Sequence, residues 1–372
     1  MRLTCPADSG NVVLLDATRP DDVTLSIRRD NASPFRQWFL VQCDGVANTR
    51  LSLRFPDAGA CSYPAGWTGY RAVATYDVDP LGTVDWFRVP TSYVDGALVI
   101  DHVPERDTVQ YAYFGAYPHA RHLARRRHAE AAGARVSTLG TTPDGHPLTL
   151  VELGHGPRPV WVIARQHPGE TMAEWFVEGL IDRLIAGDPE VEALLDRATI
   201  RIVPSMNPDG GKRGNHRTNA HGADLNRMWL DPDPAIAPEV RWVRDRMDQT
   251  GVDLALDIHG DEEIPYNFAG GGEGTPSWDP QRAARKDRFV ATWIATTPAF
   301  QRTHGYPTAG PGEANLAIGG FQITERYSCL ALTIEQPFID DANHPDPVTG
   351  WSPRRSLALG ASVVTPILAV LA

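Results

Sequence analysis

The sequence predicts an α/β domain with a mixed, mostly parallel central sheet flanked by helices, preceded by an all-β sandwich domain. Three observations carry this expectation. The first ~115 residues hold short aromatic-rich runs set between Pro, Gly and Asp. After Tyr117-Pro118, unbroken apolar runs alternate with helical patterns. The chain, at 372 residues, is long enough for two domains of ordinary size, which the change in character divides as 1–115 and 116–372.

In the first part, Leu51, Leu53 and Phe55 alternate with Ser52 and Arg54, the period of a half-buried strand. WFLVQ, RAVATYDV, DWFRV and VQYAYF repeat the theme, and strands spaced this way suggest two packed sheets. The second part opens on an Arg- and Ala-rich helical segment, HARHLARRRHAEAAG. Four apolar runs follow: VWVIA (160–164), ATIRIV (198–203), VDLALDI (252–258) and CLALTI (329–334). Such runs fit strands buried on both faces of a largely parallel sheet. Between them, Met172, Phe176, Val177, Leu180, Ile181, Leu184 and Ile185 mark one apolar helix face. Pro238 and Gly251 bracket another helix, with proline near its start and glycine just past its end.

Composition narrows the classes of function. With 42% hydrophobic and 22% charged residues, the chain has a globular profile. A formal net charge of −11 argues against nucleic acid or an anionic membrane as a partner, although a local basic pocket is compatible with it. Cys5, Cys43, Cys61 and Cys329 are scattered and form no C-x-x-C pair, so neither a thiolate zinc site nor a disulfide framework is expected. MRLTCPADSG lacks the features of a secretory signal, and a cytoplasmic location is the default expectation. The apolar stretch 356–372 is short for a span and contains Pro366, so a packed terminal helix is expected there.

The chemistry emerges when each apolar run is followed to its C-terminal end. The runs lead into ARQHPGE, PSMNPDG, HGDEE and Glu335. Ligand sites in open α/β sheets collect beyond the carboxyl ends of the strands. His167, Glu170, His259 and Glu335 are therefore candidates for one metal site. Taken alone, H-x-x-E is a weak signal, since 12 His and 15 Glu give about half an occurrence by chance. His167 and Glu170 equally suit a loop histidine and a carboxylate facing a helix dipole, and His259 a capped strand end. Two His plus one Glu is nevertheless a ligand set for catalytic zinc that leaves a position open. Glu335 closes a buried strand, where a carboxylate needs a specific partner: a metal-linked water or an arginine. The cluster GNHRTNAHGADLNR, residues 214–227, is either an Asn/Gly-rich surface loop or a carboxylate-recognition element, because arginine grips carboxylates with two prongs.

Together, H-P-G-E, N-P-D-G, G-N-x-R, G-x-D-L-N-R, D-I-H-G and T-I-E-Q-P-F resemble the zinc metallocarboxypeptidases, and in particular the cytosolic carboxypeptidase branch with its bacterial members. The resemblance extends to the N-terminal part, since that branch carries a β-sandwich joined near a segment like AYFGAYPHARHL. It implies one zinc ion per chain, held by His167, Glu170 and His259, and a peptide or protein C-terminus as substrate. By the same resemblance Glu335 is the general base, and Arg217 polarises the scissile carbonyl. Asn226 and Arg227 bind the terminal carboxylate, and Asp224 orients a zinc-bound histidine. Many relatives remove glutamate, and Arg326 is a candidate for an acidic-residue pocket or for a structural ion pair. Tyr306 and Tyr327 are both candidates for the tyrosine that closes over substrate in digestive members. Two other readings stay open: an N-acyl amino acid deacylase of aspartoacylase or succinylglutamate desuccinylase type, and a peptide-binding module without catalysis.

Overall fold

The structure, a computed structural model, describes residues 1–371. Ten strands come first: β1 (Arg2–Thr4), β2 (Val12–Arg19), β3 (Asp22–Ile27), β4 (Leu40–Asp44), β5 (Leu51–Phe55), β6 (Val73–Thr75), β7 (Phe87–Arg88), β8 (Thr91–Val94), β9 (Ala97–His102) and β10 (Thr108–Ala112). They form two five-stranded sheets, ordered β1-β4-β10-β6-β7 and β2-β3-β5-β9-β8. The period-two pattern of β5 buries Leu51, Leu53 and Phe55 and turns Ser52 and Arg54 outward.

The α/β part follows with α1 (His119–Ala131), β11 (Arg135–Thr141), β12 (Pro147–Leu153), β13 (Arg158–Ala164), α2 (Thr171–Ala186), α3 (Pro189–Arg197), β14 (Ala198–Val203) and α4 (Pro208–Arg213). It continues through α5 (Pro238–Thr250), β15 (Leu254–Ile258), β16 (Phe268–Gly270), α6 (Pro280–Thr296), α7 (Gly319–Tyr327), β17 (Leu330–Glu335), α8 (Pro353–Ser362) and α9 (Val364–Leu371). Its seven strands run β11-β12-β14-β13-β15-β17-β16. The four central strands pair in parallel, and the outer pairings are antiparallel. The apolar runs occupy the parallel centre, as burial on both faces requires.

Helix α2 departs from the one-sided pattern. It is buried almost all round, and Glu174 and Glu178 lie inside with it. Both are satisfied: His122 and Arg165 meet Glu174, while Tyr117 and Arg121 meet Glu178. The C-terminal segment forms two helices where one was expected. Pro366 sits in the first turn of α9, where its missing N–H costs no helical hydrogen bond. Residues Pro353–Leu371 would suffice for a membrane span by length and composition alone. In the fold, however, α8 packs on α2, and α9 packs on α3 and α6.

A continuous apolar core runs from Val23 and Leu25 in the first part, through β13 and α2, to Ile367 in α9. The two parts therefore share one interior.

Candidate active site

Strand register assembles the site. Ala164, Ile258 and Ile334 lie level across β13, β15 and β17, so Gln166, His259 and Glu335 follow at neighbouring points along one edge of the sheet, Glu335 as the last residue of β17. Arg165 then takes a left-handed conformation, φ 56°, which is uncommon for a residue with a side chain. Its buried guanidinium is held by Pro168 O, Tyr117 O and Glu174. Gly169 is required by packing, because a Cβ there would come within 2.5 Å of His216 Nδ1. The H-P-G-E loop can thus lie directly against the G-N-H-R loop.

His167 Nδ1 is 2.6 Å from Glu170 Oε1, and His259 Nδ1 is 2.9 Å from Glu170 Oε2. All three side chains are buried, and one ligand atom from each lies within 4.8 Å of the others. This is the only such triplet of His, Cys, Asp or Glu among the described residues. Each imidazole is backed by a second carboxylate. Asp224 Oδ1 lies 3.1 Å from His167 Nε2. Asp257 Oδ1 lies 3.0 Å from His259 Nε2, in a charge contact too oblique for a good hydrogen bond. Gln166 Nε2 donates to Asp257 at 2.7 Å, and Trp229 Nε1 donates to Gln166 at 2.8 Å.

Electrostatics follow from this crowding. Burial pushes the Glu170 pKa up, yet the two imidazoles outweigh it and hold the carboxyl well below its ordinary value. Burial likewise disfavours a charged His259, but Asp257 and Glu170 lift its pKa well above normal. Glu335 behaves oppositely. Burial raises its pKa strongly; His259 opposes the rise, while Glu170 and Asp261 add to it. The Tyr306 hydroxyl lies 3.1 Å from Glu335 Oε1 and 2.6 Å from Asp261 Oδ2, whereas Glu335 Oε2 has no partner within the protein.

Arg217 is clamped by one residue from each part of the chain. Its Nε donates to Asp224 Oδ2 at 2.8 Å and its Nη1 to the Tyr63 hydroxyl at 2.6 Å. Asp224 also caps the short turn Leu225–Arg227 by accepting from Asn226 N. Asn226 Oδ1 accepts from Gly319 N at 2.8 Å, which leaves its amide group as a donor. The Arg227 guanidinium donates to the Asn226 carbonyl.

His167, Glu170, Arg217, Asn226, Arg227, His259 and Glu335 all line one cleft of about 940 Å³, with Asp224 just behind it. Arg326 is the exception and corrects the pocket expectation. It is absent from the cleft wall and makes a two-pronged ion pair with Asp248 of α5, where Tyr327 joins it. Of the two tyrosines, Tyr306 faces the cleft and Tyr327 does not.

Sequence reasoning passed over Asp257, Tyr63 and Asp261. Asp257 was legible, because residues two apart share a strand face. Nothing local marks Tyr63, which reaches Arg217 across 154 positions.

The cytosolic carboxypeptidase N-terminal domain family matches residues 3–114, and the zinc carboxypeptidase family matches residues 121–309. A metallo-carboxypeptidase from Burkholderia cenocepacia is 44% identical, with a TM-score of 0.95, covering 99% of this chain and 98% of that one. One from Pseudomonas aeruginosa, solved with (2-guanidinoethylmercapto)succinic acid, is 42% identical at a TM-score of 0.94, with 99% and 98% covered. Human cytosolic carboxypeptidase 6 is 26% identical over 291 residues, spanning 70% of this chain but only 57% of that protein.

Proposed function

The chain belongs to the zinc carboxypeptidase family and is a peptide hydrolase, and we propose that it removes the C-terminal residue of peptides or proteins using one zinc ion held by His167, Glu170 and His259. The observation that carries this reading is the buried triplet with a carboxylate behind each imidazole. Two imidazole nitrogens and one carboxylate suit zinc and leave a coordination position for chemistry. The carboxylates behind them are the usual device for fixing histidine tautomer and orientation. Zinc bound there supplies a Lewis acid that polarises a carbonyl and lets water ionise near neutral pH.

The protein's own residues do the rest. Glu335, buried and with Oε2 free of any partner within the protein, is placed to take a proton from water at Oε2 and return it to the departing amine. Arg217 lies ready to meet the negative charge that develops on the carbonyl oxygen. Asn226 and Arg227 bind the free terminal carboxylate, which confines attack to the last peptide bond. Asp224 keeps both His167 and Arg217 in place.

The preferred terminal side chain is proposed to be acidic. Arg302 and Lys286 on the cleft wall support this, although Lys286 already pairs with Glu273. A basic preference is the second reading. It is favoured by Glu263 and Asp287 on the same wall and by the guanidino ligand of the Pseudomonas relative. A cytoplasmic location is proposed from relatives named for that compartment.

A peptide series differing only in the last residue, read by mass loss, tests the whole reading. Stepwise release from free C-termini, none from C-terminal amides and none from small N-acyl amino acids is the expected result. Release from the N-acyl amino acids alone would establish the deacylase instead, and no turnover with zinc bound would leave a binding module.

A further inference from the structure

The loop that carries Arg217 has little secondary structure of its own. Residues 215–223 lie between α4 and the turn at Leu225, joined mainly by the Asn215 N to Gly210 O and Asn219 N to Ala223 O bonds. The α/β part holds it at His216, through Gly169 N and Glu262, and at Asn219, through Ile236 O and Glu239; at the three residues around Arg217 the N-terminal domain supplies the backbone partners. Asp30 is only 3% exposed, and it has no basic partner among the described residues. Its charge is met by three successive backbone N–H groups: His216 to Oδ1 at 2.7 Å, and Arg217 and Thr218 to Oδ2 at 2.7 and 2.9 Å. A carboxylate cradled by successive N–H groups makes charge-assisted bonds that are short and directional. Asp30 is itself held by its N–H on Phe35 O, and Asn31 ties down the far side of the loop through Asn215, Asn219 and Ala220. The same domain also fixes the other end of the side chain. The Tyr63 hydroxyl accepts from Arg217 Nη1, and the Phe35 ring lies 5.4 Å from Arg217 Cζ.

We infer that Asp30 and Tyr63 are positioning residues for hydrolysis: the N-terminal domain sets the backbone and the guanidinium of Arg217 at the point where the carbonyl oxygen becomes negative. The inference rests on the reading of Arg217 given above. Neither residue needs to touch substrate for this role, because each acts through Arg217. Hydrogen bonds aimed at a developing charge are effective only when placed in advance, and at Arg217 itself the backbone N–H and one guanidinium nitrogen are placed by the N-terminal domain.

A double-mutant cycle on the zinc-loaded full chain tests this, with Asp30→Asn, Tyr63→Phe, Arg217→Met and both pairs that include Arg217→Met. The readouts are kcat, KM, zinc per chain and Tm. Arg217→Met is expected to lower kcat by roughly 10²–10³-fold. Asp30→Asn should lower it by on the order of 10–100-fold with KM little changed, as small misplacements of catalytic groups do. Neither Asp30→Asn nor Tyr63→Phe should cost anything further once Arg217 is gone, because residues acting through one group are non-additive. Equal losses in both backgrounds would reduce Asp30 and Tyr63 to general scaffolding and overturn the inference, as would unchanged kcat in both single variants. If Asp30→Asn does not yield folded zinc enzyme, the Tyr63→Phe cycle decides by the same criterion. An unaffected Arg217→Met would instead remove the reading of Arg217, a result distinct from the others.

Discussion

Glu335 ends β17 at the cleft, beside His259 and Glu170. It is buried, its Oε2 has no partner within the protein, and its pKa is lifted chiefly by burial. Glu335→Gln keeps the shape and the Tyr306 contact but removes the proposed base. It should lower kcat by about 10³–10⁴-fold while zinc content and KM stay near wild type. Loss of zinc in that variant would mean that Glu335 serves the metal site structurally. At this scale much was legible: His167, Glu170, His259 and Glu335 each stand at the end of an apolar run, and the runs lie in one sheet. Arg326 was not. A charged residue in a helical stretch carries no sign of which way it points, and α7 turns it towards Asp248 on α5. The Asp30 and Tyr63 contacts were also invisible, because they join segments with no local relation.

Among the elements, the parallel strands were readable from their unbroken apolar runs, and α5 from Pro238 and Gly251 at its ends. The all-round burial of α2 was not, since Glu174 and Glu178 look like a solvated face until their buried partners are known. Helix α5 holds a similar concealed carboxyl. Glu239, in its first turn, is fully buried, accepts from Asn219 Nδ2, and has its pKa raised from 4.5 to about 7, burial being the largest cause. The native state therefore binds more protons than the unfolded chain between those two values. This contribution to stability is fully present below about pH 4.5 and is lost as pH rises towards 7. Glu239→Gln preserves the acceptor and removes the charge, so it should stabilise by up to about 3 kcal/mol at pH 8. The gain should vanish near pH 4.5. Denaturant unfolding at the two pH values checks this; an equal effect at both would show that Glu239 does not titrate in this range.

For the whole molecule, the passage from β10, ending at Ala112, to α1, starting at His119, is a change of architecture within a single interior. The apolar core spans both parts. Arg88, its pKa lowered to about 10 by burial, donates to the carbonyls of Phe338, Ile339 and Trp351, just beyond the strand that ends in Glu335. Tyr113 stacks on Phe338 at 4.4 Å. Calorimetry should accordingly give one unfolding transition, and residues 116–372 alone should not fold; two resolved transitions would contradict a shared core. The proposed function depends on one metal position. A crystal of the zinc-loaded protein, mapped by anomalous scattering at the zinc edge, tests it most directly. One peak per chain is expected, at about 2.0–2.2 Å from an imidazole nitrogen of His167, a carboxylate oxygen of Glu170 and an imidazole nitrogen of His259. An active enzyme whose only peak lies away from those three residues would contradict it.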